Sequence, residues 1–82
     1  MKIKQHTVNV IEMVGDGVLG MRAFTDCRQG NKRAEKLFRV LVKEHEKDQP
    51  EDTKSDKQDI DNHIEEGMYE MGDYKLMLVH ST

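Results

Sequence analysis

Between Lys32 and Glu46 the apolar residues recur at spacings of three and four, the clearest period in this 82-residue chain. Ala34, Leu37, Phe38, Leu41 and His45 share one face of a helix drawn over residues 32–46. Lys32, Lys36, Arg39 and Lys43 stand opposite, within an arc of about 60° at ~100° per residue. Asn31 is placed to cap the first turn, since its side-chain oxygen can accept from free backbone amides. A helix of this length with one apolar stripe gains most of its stability by lying on something else. The two ends of the chain say what that is: residues 2–25 and 74–80 are β-prone, so the helix must cover a sheet.

Residues 2–14 are rich in Ile, Val and Thr and read as extended chain. Val8 and Val10 share one face and Ile11 and Met13 the other, which implies a bulge near Val10 or a strand covered on both sides. Gly15-Asp16-Gly17 signals a hairpin, and Val18–Thr25 is the returning strand, with Gly20 marking a bulge or a close backbone approach. Lys47 to Lys54 holds the only proline and no apolar residue, so a mobile, acidic linker is expected at about 47–55. Ser55 and Gln58 fit a capping box before a short helix over 56–66, which offers Ile60 and Ile64 to a core and stops at Gly67. Tyr74–His80 is apolar enough to be a well-covered strand, and Met68–Met71 could pair with it across Gly72-Asp73. The expected fold is a single small α+β domain, a β-β-α-α-β sandwich with a three-stranded antiparallel or mixed sheet and the helices on one face.

Composition limits how well such a domain can hold itself together. Only 35% of residues are hydrophobic and another 35% are charged, with two Phe, two Tyr and no Trp. A chain this short buries only ~60–65% of the surface that its unfolded form exposes. Cys27 has no partner cysteine for an intrachain disulfide, so a second subunit is the expected support. A sheet covered on one side leaves Val8 or Ile11, Met13 and Phe24 in water unless a copy or another protein covers them. Met13 and Met21 flank the hairpin turn, and methionine adapts well to contact surfaces. Met13, Met21 and Phe24 are therefore the candidate interface residues.

Charge is divided along the chain. Residues 1–43 hold 9 Lys+Arg against 4 Asp+Glu, whereas residues 44–82 hold 4 against 12. The basic stripe Lys32, Lys36, Arg39 and Lys43 could lie against nucleic-acid phosphates. The plainer reading is the solvated face of an amphipathic helix, and the acidic half could fold back and neutralise it. No aromatic residue sits among these cations to stack on bases. An acidic surface that engages a basic partner is a further reading of the second half.

Sites for chemistry are sparse. Asp59 and His63 have helical spacing, but two ligands fall short of the three or four a zinc site needs. Asp59-Ile-Asp61-Asn-His63 begins like a calcium loop yet has Ile64 where that loop needs glycine. Cys27 follows Asp26, whose charge disfavours a thiolate. The spacing Gly15-x-Gly17-x-x-Gly20 lies in a hairpin rather than between a strand and a helix, which removes the dinucleotide reading. We expect no enzyme activity, cofactor or metal. The lone cysteine, the absence of an apolar leader at the N-terminus and the lack of any ~18-residue apolar run point to a cytoplasmic protein with no membrane contact. The expected function is that of a small interaction module, a homodimer or a subunit of a larger assembly, with nucleic-acid binding as the alternative.

Overall fold

The computed structural model describes residues 6–81; the expectations for residues 1–5 lie outside them. The chain runs β1 (Thr7–Val14), β2 (Gly17–Thr25), α1 (Arg28–His45), a 3-10 turn (Glu51–Thr53), α2 (Lys57–Glu66), β3 (Met68–Met71) and β4 (Tyr74–Ser81). The class is α+β, as the periodicity implies. The sheet has four strands rather than three, all antiparallel, in the order β2-β1-β4-β3. The extra strand is β3: a four-residue element pairs here because Gly72-Asp73 turns it directly back onto β4.

Both hairpins use the same device. Gly15 (φ 61) and Gly72 (φ 59) each precede an aspartate, and positive φ at the first turn residue suits a two-residue turn of type II′. The turns lie side by side at one end of the sheet, and the Gly15 amide donates to the Asp73 carbonyl at 2.9 Å. The bulge falls at Glu12/Met13 rather than near Val10. Glu12 pairs with Gly20 and Met13 with Val18, so Leu19 is the extra residue and Val18 returns to the face of Met21.

α1 begins four residues earlier than the apolar period indicates. Its N-cap is Cys27, whose sulfur accepts from the Gly30 amide at 3.4 Å, and not Asn31. Asn31 lies inside the first turn, where its amide donates to Asp26 Oδ1 at 2.7 Å. Gly30 is buried, and a Cβ there would stand 1.7 Å from the Thr25 carbonyl oxygen. Glycine at this position lets the helix start hard against the end of β2. The fully buried stripe is Gly30, Ala34, Phe38 and Val42, while Leu37 and Leu41 are half-buried and His45 is exposed. α2 is capped by Asp56 and Asp59 acting reciprocally, one residue on from the expected Ser55 and Gln58 pair, and ends at Gly67 with φ 78.

The core lies between α1 and one face of the sheet. Val8, Val10, Leu76, Tyr69 and Tyr74 meet Ala34, Phe38, Val42 and Ile60 there. One charged side chain is buried with them. Glu46, just past the end of α1, accepts from the Ser55 amide (2.6 Å), the Ser55 hydroxyl (2.7 Å) and the Tyr69 hydroxyl (2.7 Å). Burial works against its charge, but these three donors prevail, first among them the Ser55 amide, and its pKa falls below the ordinary value. The carboxylate thereby closes the acidic segment 47–54 into a loop pinned at both ends and ties it to β3.

Candidate interaction surfaces

The pleat sends alternate side chains of each strand away from the helices. On that open face the register aligns Met68 with Met77, Met77 with Ile11, and Ile11 with Met21. Three methionines and an isoleucine thus form one row across all four strands. Val79 and Ala23 flank Asn9 in the row on one side. Met13 and Val18 lie in the row on the other, where Glu70 and Lys75 form an ion pair at 3.4 Å. Thr7 and Thr25 stand beyond as a polar margin. Met21 is 67% exposed, Val18 63% and Met68 43%, values typical of surface polar residues rather than large apolar ones.

Two of the three candidate interface residues, Met13 and Met21, are on this face. Phe24 is not: it pairs with Val8 on the helix side, packs against the core and carries the Arg22 guanidinium 5.9 Å from its ring centre. Val8 is wholly buried. Met68, Met77 and Val79 complete the face and escaped the sequence reading, because Met68 joins it only through the register of the short strand β3. A signal was present in the alternation of Met77 and Val79 against the apolar Leu76 and Leu78.

The basic stripe is only partly covered. Arg39 pairs with Asp61 of α2, while Lys32, Lys36 and Lys43 remain exposed. Lys43 borders a surface hollow with Glu44, Glu46, Lys47, Glu51 and Lys54, so its surroundings are mixed in sign. Lys36 instead joins Arg22 and Arg33 along the cleft between α1 and β2, together with Phe24, Leu37 and Val40. Of the four cations of the stripe, Arg39 is thus paired with an acid, and Lys36 and Lys43 border separate hollows.

A second polar cluster lies at the hairpin end. The Tyr74 hydroxyl donates to Glu12 at 2.8 Å, and the His45 ring stacks on Tyr74 with centres 4.0 Å apart. Burial first, then the bond each makes to its glutamate, push Tyr69 and Tyr74 well above the ordinary tyrosine pKa, so both are hydroxyl donors near neutral pH. The Asp26 carboxyl is held below its ordinary value by the Asn31 amide and by His80, whose Nδ1 is 3.4 Å away. Asp59 is occupied in the α2 cap, and His63 Nδ1 lies 3.2 Å from the Met68 carbonyl. Among the described residues no three His, Cys, Asp or Glu side chains converge as a metal site would require. Nor is any helix among them long and apolar enough to cross a membrane. Comparison with protein families, with curated proteins and with solved structures finds no match to this chain.

Proposed function

We propose that this chain is a small, non-enzymatic cytoplasmic interaction module that works as a homodimer, two copies pressing their open sheet faces together. The observation that carries this reading is the row Met68–Met77–Ile11–Met21, an apolar band that no other element among the described residues covers. Its composition suits a second copy. The charged residues of the face, Glu70 and Lys75, already neutralise each other, so nothing on it repels its own image. Unbranched methionines adjust to a partner surface without requiring one fixed fit. An apolar centre with a polar margin also matches the ordinary anatomy of an interface.

Area sets the strength. Strands of 8, 9, 4 and 8 residues span about 460 Å² per protomer in projection, taking ~3.3 Å along and ~4.8 Å between strands. The pair therefore buries on the order of 1,000 Å² in total, the lower end for a specific contact, which favours a reversible dimer over an obligate one. Sedimentation equilibrium tests this. The apparent mass should rise from one chain to two as concentration increases through the micromolar range, and Met21→Lys should hold it at one without lowering the melting temperature. A single-chain mass at every concentration would overturn the reading.

The nucleic-acid alternative has less support, since Arg39 is taken by Asp61 and Lys43 has acidic neighbours. It requires oligonucleotide binding that weakens steeply with salt.

A further inference from the structure

The cleft between α1 and β2 is a different surface, on the helix side of the sheet. Among the described residues β2 is an edge strand, paired with β1 alone, so its outer row of backbone donors and acceptors has no strand partner there. Beside it Phe24, Leu37 and Val40 form an apolar floor, and Arg22, Arg33 and Lys36 rim a groove of about 290 Å³. The groove continues past Phe24 and Arg33 along Ala23, Thr25, Cys27, Gln29 and Gly30. Among the described residues no carboxylate lines either part. Three cations, an apolar floor and an open strand edge thus converge on one trough.

We propose that this trough binds an extended acidic peptide segment of a partner protein, added to the sheet as a strand alongside β2. Main-chain hydrogen bonds to the edge would give the segment its direction, as in other strand-addition complexes. Because side chains alternate along a strand, residues on one face of the segment would meet the helix side. An apolar one among them would rest on Phe24, Leu37 and Val40. Neighbouring Asp or Glu would reach Arg22, Arg33 and Lys36, two of which can bind carboxylate bidentately.

Charge argues against a second copy in this place. β2, Gly17–Thr25, contains one cation and no acid, so pairing it with its own image offers the rim no carboxylate. A nucleic-acid strand is disfavoured too: Phe24 is the one aromatic side chain of the trough, and Arg22 already lies over its ring. A peptide backbone is also the natural complement of an open strand edge, whereas a sugar–phosphate backbone is not.

The test uses the full chain and four fluorescent probes: a blocked octapeptide of Glu-Glu and Val-Val pairs in turn, which puts both residue types on each face of a strand, its Lys/Val counterpart, an all-Glu octapeptide, and an oligouridylate of matching length. At 50 mM salt the Glu/Val peptide should bind best, with anisotropy saturating and affinity falling as salt rises. Hydrogen exchange should show new protection in β2. Arg22→Gln combined with Arg33→Gln, both at exposed positions, should weaken binding at least tenfold and leave the sedimentation behaviour unchanged. Met68→Lys, on the open face but in β3 at the opposite edge of the sheet, should leave peptide binding intact, which separates this surface from the proposed dimer face. The proposal is overturned if the Glu/Val peptide does not bind, or if the all-Glu peptide binds equally. Tighter binding of the oligouridylate, or indifference to the double substitution, overturns it as well.

Discussion

The two faces of the sheet are built from similar residues and meet opposite fates. On the covered face Val8, Val10 and Leu76 are almost wholly removed from water by α1. On the other, Ile11, Met13 and Met77 are only half-buried, and Met21 is two-thirds exposed. The difference comes from supply. One long helix provides Ala34, Phe38 and Val42, and α2 adds a single fully buried side chain, Ile60, so the two helices supply one layer only. Branched side chains occur on both faces, but methionine is concentrated on the open one, with Met13, Met21, Met68 and Met77 there against Met71 alone at the core. An apolar face without cover among the described residues is what the proposed dimer would bury.

Substitutions should separate the two faces. The largest effect is expected at Phe38, where alanine should cost about 3–5 kcal/mol, read from chemical denaturation. Met77→Ala, on the open face, should cost far less in a dilute sample, because there is less burial to lose. Gly30→Ala belongs with the covered face. Its new Cβ would collide with the Thr25 carbonyl, so helix and strand must part, at roughly 3 kcal/mol.

Glu46 sharpens the comparison through pH. Its pKa is depressed in the folded state, so its contribution is present above the ordinary glutamate value of 4.5 and is lost as pH falls through the lower folded value. Tyr69 and Tyr74 act in the opposite sense. Their pKa values are raised, so their contribution is complete below the ordinary value of 10.0 and is lost as pH climbs through the folded values. Melting temperatures across pH should fall at both ends, and Glu46→Ala should remove about 2–3 kcal/mol near neutrality along with much of the acid-side slope. The smallest effect is a gain. Cys27→Ser replaces a weak sulfur acceptor with a hydroxyl at the α1 cap and should add ~0.5–1 kcal/mol without altering association.

The parts of this molecule legible in the sequence are those governed by local period. α1 and the Gly15-Asp16 turn announce themselves, as does the stop at Gly67, whereas Gly72-Asp73 only hinted at β3, the strand missing from the expected three. What was hidden depends on contacts distant in sequence. Gly30 looks like a turn residue, and only the approach of the Thr25 carbonyl shows why glycine is required inside the helix. Glu46 sits in a charged run, with nothing to distinguish it from Glu44 until Ser55 and Tyr69 close around it. Phe24 and Val18 cannot be assigned to faces without the bulge at Leu19, which reverses the alternation partway along β2. The apolar row likewise exists only once the register joins residues from four strands.

Of the described methionines, Met13, Met21, Met68 and Met77 lie on the open face and Met71 packs against the core. The methyl resonances of these residues, followed by NMR while the protein is diluted, therefore test the dimer directly. The account predicts that the four open-face signals shift together through the micromolar range while Met71 stays fixed. Four signals that do not move, or a Met71 that moves with them, would contradict it.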